Sequence, residues 1–153
     1  MIRVGIAGIG FIAEEYIKFF SQGKIKGAVI SALSSRNVSH MEDIKAAYDL
    51  KDTELFTDYE AMLDSGKIDM VMICTPHFQH PDMAIRSIER GIHTLVEKPI
   101  GVFPDEITSL MNCVIKNCIS VFRDRRFIIY RILIFVSYKS RLKLCSSKIQ
   151  AGL

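Results

Sequence analysis

The residues with the clearest chemical use stand near the start of the chain, in Gly8-Ile9-Gly10-Phe11-Ile12-Ala13. This G-x-G-x-x-A turn lies between the apolar run Ile2–Ala7 and a segment of helical spacing. The first glycine permits a tight turn, the second lets a pyrophosphate approach the backbone, and a small residue at the third position keeps helix and sheet close. The backbone N–H groups of Gly10, Phe11 and Ile12, with the positive end of the helix dipole, would then face the phosphates. Such turns also occur in folds that bind no nucleotide, so the pattern alone is weak. Its place between a first strand and a first helix makes dinucleotide binding the better reading.

A dinucleotide turn of this kind is commonly followed, about 20 residues on, by an Asp or Glu that binds the ribose hydroxyls. No acidic residue occurs between Glu15 and Glu42, and the second apolar run ends in Ser34-Ser35-Arg36-Asn37. Hydroxyl and guanidinium groups hydrogen-bond a 2′-phosphate that a carboxylate would repel, so Ser35 and Arg36 favour NADP, with NAD still open. The plainer alternative makes Arg36 a solvated loop residue. His77 and His80 have an H-x-x-H spacing, but no Cys or acidic partner stands at ligand spacing, and no metal is expected. His40 and His93 read as structural. Cys74 ends an apolar run without an identifiable base and reads as a core thiol.

The elements that must carry these residues follow from periodicity. Ile2–Ala7, Ala28–Leu33, Glu54–Phe56, Ile68–Cys74 and His93–Val96 read as strands, and the stretches between them as helices. The helices run from Phe11 toward Gly23, over Val38–Asp49 with Ser39 as N-cap and Glu42 completing a capping box, over Tyr59–Ser65 and over Pro81–Arg90. Pro104 to about Lys116 adds one more, opened by Pro, Asp105 and Glu106. Strict alternation with short connections predicts an α/β, Rossmann-type doubly wound parallel sheet covered by helices on both faces.

With 153 residues, 49% of them hydrophobic and 24% charged, the chain has the balance of one globular domain. Four cysteines without a C-x-x-C pair, and the lack of an apolar leader, suggest a reducing, cytoplasmic setting. The most apolar stretch, Phe127–Val136, is interrupted by Arg131 and is too short for a membrane span. The net charge of +3 is unevenly spread: residues 1–117 carry 12 Lys and Arg against 16 Asp and Glu, residues 118–153 carry 8 against 1. Turn chemistry changes at the same point, with no Pro after Cys118 and no Gly before Gly152. We divide the chain into a nucleotide-binding domain, 1–117, and an atypical basic tail, 118–153. An extra strand with a basic helix is one account of the tail; a shifted reading frame or truncation explains the joint change in charge and turn residues better. Nucleic-acid binding would need the basic residues on an ordered face and is not expected.

Two further blocks match a known pattern in order and spacing: Thr75-Pro76 with His80, and Gly91-Ile92-His93-Thr94-Leu95-Val96 followed by Glu97-Lys98-Pro99. With the glycine turn they resemble the N-terminal domain of the glucose-fructose oxidoreductase and inositol dehydrogenase family (Gfo/Idh/MocA), over about residues 2–117. The resemblance implies an NAD(P)-dependent oxidoreductase that moves a hydride to or from a sugar, polyol or related hydroxyl compound. It implies that Lys98 is the catalytic-site lysine and that the Lys98–Pro99 peptide is cis. It places Thr75, Pro76, His80 and Glu97 on the cofactor side of the cleft. It also implies a second, open-sheet domain that shapes the substrate pocket and makes the oligomer contacts, and the residues after 117 are too few to form it. The chain alone is therefore expected to be inactive. The alternative is a non-catalytic dinucleotide-binding remnant or sensor.

Overall fold

The computed structural model describes residues 1–117; the basic tail, and every expectation placed on it, lies outside the described residues. Five strands, β1 (Ile2–Ala7), β2 (Ala28–Ser34), β3 (Glu54–Phe56), β4 (Met70–Ile73) and β5 (His93–Val96), alternate with helices. They form one sheet in the order β3-β2-β1-β4-β5, with every neighbouring pair parallel. The helices are α1 (Phe11–Ser21), α2 (Val38–Ala47), α3 (Tyr59–Asp64), α4 (His80–Glu89) and α5 (Pro104–Lys116), with a single 3-10 turn, His77–Gln79, leading into α4.

A strand points successive side chains to opposite faces, and two apolar layers result. Val4 and Ile6 of β1, with Met70 and Met72 of β4, pack against Ala13 and Ile17 of α1 and Met41 and Ile44 of α2. Ala7, Val71 and Ile73 face the other way, toward Met62 and Leu63 of α3, Ala84 and Ile88 of α4, and Leu110 and Val114 of α5. Between β1 and β2 the register slips, Val4 pairing with Ile30 but Gly5 with Ala32. That bulge skips Ser31, which is why Ile30 and Leu33, three residues apart, share one layer.

Two expectations are corrected. The N-cap of α2 is Asn37, not Ser39: Asn37 is extended (φ −96°, ψ 95°) and its Oδ1 accepts from the His40 N–H at 3.2 Å. Ser39 is already helical, and its hydroxyl donates to Asn37 Oδ1 at 2.9 Å. β4 is also shorter than Ile68–Cys74. It is bounded by Met70 and Ile73, although ladder bonds run on at each end, the Asp69 N–H donating to the Arg3 carbonyl at 2.8 Å and the Cys74 N–H to that of Ala7 at 2.8 Å. The Asp69 side chain takes three further bonds from Arg3, from the backbone N–H at 2.9 Å and from the guanidinium at 3.1 and 2.6 Å. Arg3 holds the Asp69 carboxyl below its ordinary range, the side-chain hydrogen bond being the main cause.

The sequence of strand placement fixes where a ligand can enter. The chain leaves β1 toward β2 and β3 on one side and returns to β4 and β5 on the other, so the carboxyl ends of β1 and β4 part company there. Leu110 is fully buried, and Ile115, on the same helix, is 71% exposed. Leu110→Ala should cost about 2–5 kcal/mol in urea denaturation, because it leaves a cavity under α5. Ile115→Ala should stay within about 0.5 kcal/mol of the parent.

Candidate functional site

A cleft of about 830 Å³ opens at this switch point, within the usual range for a small-molecule site. Its floor is the glycine turn; its sides are the β2 end with Ser34, Ser35 and Arg36, the β4 end with Cys74, Thr75 and Pro76, and the first turns of α3 and α4. The two glycines of the turn are required for different reasons. Gly8 has φ +84°, and a Cβ there would lie 2.7 Å from Thr75 Cγ2 and 2.8 Å from the Thr75 nitrogen. Gly10 is an ordinary extended N-cap (φ −115°), and a Cβ on it would meet no atom within 4 Å. Protein packing therefore accounts for Gly8 but leaves Gly10 unexplained, unless the space in front of it is for a ligand.

The donors at that space point the same way. No side chain caps α1, whereas Asn37 caps α2 and Asp58 caps α3. The first-turn N–H groups of α1 are thus left to an external acceptor, and the helix dipole adds a partial positive charge. Ala13 is fully buried, which lets the helix sit directly on the sheet. A pyrophosphate fits this cradle by charge, by donor number and by the space a Cβ would otherwise fill.

Toward the far end of the cleft, the charged groups are largely committed to one another. Asp58 accepts from the N–H groups of Glu60 and Ala61, both at 3.3 Å. Arg86 bridges Glu60 at 3.0 Å and Asp82 at 2.9 Å, and Arg90 closes the network on Glu60 at 2.5 Å and Asp64 at 2.7 Å. Tyr59 donates its hydroxyl to the Met83 carbonyl at 3.0 Å, and burial pushes its phenol well above the ordinary range, so it stays protonated at neutral pH. Ser35 accepts from the Asn37 N–H at 3.2 Å and keeps its hydroxyl hydrogen for another acceptor. Arg36 is exposed on the cleft wall and forms no ion pair among the described residues.

Gly8, Gly10, Ser35, Arg36, Thr75 and Pro76 are brought together around the cleft. The side chains of Phe11, Ile12, His80, Glu97 and Lys98 do not line it. Phe11 is 78% exposed and contributes its backbone position at the start of α1. Lys98 is exposed in the turn after β5, and the Lys98–Pro99 peptide is cis. His80 and Glu97 are buried beneath that turn. The ring nitrogens of His80 lie 2.8 Å from the Pro99 carbonyl oxygen and 2.7 Å from that of Thr75, so neither faces His77 for shared metal binding. Among the described residues no group of three or more His, Cys, Asp or Glu could hold a metal ion. Cys74 is half-buried and lines the cleft as well as packing on the core. Asp58, Tyr59, Glu60, Asp82 and Arg86 of the cleft wall were not anticipated; only the i,i+4 spacing of Asp82 and Arg86 hinted at part of their network.

A parallel sheet with a glycine-rich phosphate cradle at its switch point defines a dinucleotide-binding Rossmann fold. Residues 2–122 match the oxidoreductase family with an NAD-binding Rossmann fold, Gfo/Idh/MocA, and the chain belongs to that family. It is 29% identical over 109 residues to inositol 2-dehydrogenase 4 of Saccharopolyspora erythraea, covering 71% of this chain and 31% of that protein. Among solved structures it resembles scyllo-inositol dehydrogenase from Lactobacillus casei with bound NAD(H) and scyllo-inositol, at 26% identity and TM-score 0.70, covering 76% of this chain and 33% of that one. A putative myo-inositol dehydrogenase from Sinorhizobium meliloti is similar at 28% identity and TM-score 0.68, with 76% and 33% covered. The chain spans about a third of the length of these relatives. No helix among the described residues is long and apolar enough to cross a membrane.

Gly10→Val should leave the fold intact, since its side chain enters open space, at a cost of about 1 kcal/mol for replacing a favoured N-cap residue, and should abolish dinucleotide binding by calorimetry. Gly8→Val should instead destabilise the protein, because its Cβ would collide with Thr75.

Proposed function

We propose that the chain is the nucleotide-binding part of an NADP-preferring oxidoreductase that acts on a hydroxylated small molecule of the sugar or polyol class. The observation that carries the cofactor preference is the composition of the cleft beside β2. Ser35 and Arg36 stand where a ribose-binding carboxylate would stand, and Arg36 is an unpaired guanidinium on that wall among the described residues. Arg86, the other lining arginine, is held by Glu60 and Asp82. A 2′-phosphate would meet a charge-assisted donor in Arg36 and a hydroxyl donor in Ser35. NAD(H) is the dinucleotide in the Lactobacillus casei relative, and the proposed preference for NADP rests on Ser35 and Arg36 of this chain alone.

When bound, the nicotinamide ring supplies a site that takes up or releases a hydride. The chain's own residues supply the dinucleotide's seat and one proton-handling group. The first turn of α1, opened at Gly10, holds the pyrophosphate, and Thr75 and Pro76 form the wall opposite. Lys98, exposed after β5, orients a substrate hydroxyl and passes its proton as the carbon is oxidised, or returns it as a carbonyl is reduced. Similarity to inositol dehydrogenases supports the polyol class. Cys74 and Cys113, both half-buried, form no disulfide among the described residues, in keeping with a reducing cytoplasm. A non-catalytic dinucleotide-binding module would share the cradle but would not need Lys98.

Calorimetric titration should show NADPH binding more tightly than NADH, and Arg36→Ala should remove most of the difference, about tenfold to a hundredfold for one charge-assisted phosphate contact. Equal affinities in the unaltered chain would overturn the preference.

A further inference from the structure

Lys98 lies between two residues that are each tied to another part of the fold. On one side, Glu97 is 7% exposed; one carboxylate oxygen accepts from the Tyr16 hydroxyl of α1, and the other accepts from the Lys98 N–H at 3.2 Å. The Glu97 N–H continues the ladder to the Ile73 carbonyl at 3.0 Å. On the other side, the Pro99 carbonyl is 2.8 Å from Nδ1 of His80, a ring only 1% exposed, whose Nε2 is 2.7 Å from the Thr75 carbonyl. The Lys98 turn is thereby joined through Tyr16 to the helix that forms the phosphate cradle. Through His80, whose ring donates to both carbonyl oxygens when both its nitrogens carry a proton, it is joined to the Thr75 wall that Gly8 packs against.

These ties are poor choices if packing were all they had to supply. A buried carboxylate and a buried imidazole must each be fully hydrogen-bonded to avoid a large desolvation cost, and apolar residues of similar volume would fill the same space. What polar ties add is direction. Both of these converge on the two residues that flank Lys98, whose own side chain is exposed and forms no ion pair among the described residues. We propose that Tyr16 and His80 are positioning residues for Lys98: they hold its turn in register with the pyrophosphate cradle and the Thr75 wall, so the ammonium meets the nicotinamide end of a seated dinucleotide. This rests on the reading of Lys98 as the proton-handling lysine, and it assigns to His80 a role beneath the cleft and not against the cofactor.

The test uses the full 153-residue chain labelled with nitrogen-15 and two measurements. The first is amide exchange by NMR without nucleotide. Tyr16→Phe keeps the ring and removes only the hydroxyl; it should lower the thermal midpoint modestly, because the buried Glu97 loses a donor, and speed exchange at Lys98 about tenfold or more while leaving Thr94 in mid-strand unchanged. The second compares NADPH with 2′-phospho-ADP-ribose, which lacks nicotinamide. Tyr16→Phe should weaken NADPH binding about threefold or more, leave 2′-phospho-ADP-ribose unaffected, and add nothing once Lys98→Ala is present. His80→Gln should show the same pattern; if it fails to fold, Tyr16→Phe still decides. Unchanged exchange at Lys98, an equal loss with both ligands, or a loss that persists in Lys98→Ala would overturn the positioning role. Failure of the unaltered chain to bind NADPH would instead count against the proposed function, and the nucleotide-free exchange comparison would still decide the tie.

Discussion

β1 and β4 run side by side and their chains then separate, so the backbone leaving β1 must pass in contact with the backbone leaving β4. That crossing falls at Gly8 and Thr75, where even one added carbon would lie 2.7–2.8 Å from Thr75 atoms. Only a residue without a side chain, in the left-handed region, can make the turn. Because it does, α1 starts directly above the sheet with its N–H groups uncapped, and Thr75 becomes the opposite wall of the same opening. The cradle, the cleft and the approach of His80 to the Thr75 carbonyl all follow from this one close pass.

Charge in the cleft is distributed by the same economy of local satisfaction. Asp58 is consumed in capping α3, and Glu60, Asp82 and Arg86 neutralise one another across α3 and α4. These surface pairs contribute little stability individually. Their effect is to remove three carboxylates and one guanidinium from competition for a ligand, leaving Arg36 beside the β2 end.

The fold was legible because its signals are local. Each strand and helix shows its own periodicity, and the alternation of the two types dictates a parallel sheet. Arrangements that depend on distant residues were not. Asn37 displaced Ser39 as the α2 cap because the choice turns on one extended residue, and both side chains are able to cap. The bonds between Asp69 and Arg3 are made across 66 positions of sequence. The link from Tyr16 to Glu97 spans 81 positions, and nothing in the spacing of either residue announces it. Motif resemblance implies that His80 and Glu97 stand on the cofactor side of the cleft; that both are buried and bonded to the residues flanking Lys98 depends on contacts no motif spells out.

In the proposed binding mode a dinucleotide is held at the split between β1 and β4, with its phosphates on the α1 cradle and its adenosine end beside Arg36. Titrating the nitrogen-15-labelled chain with NADPH and following every amide by NMR tests this directly. The largest shifts should fall at Gly8, Gly10, Phe11 and Ile12, with a second cluster at Ser35 and Arg36 and little change at Leu110 or Val114 on α5. Shifts spread over α5, or none at the glycine turn at saturating NADPH, would contradict it.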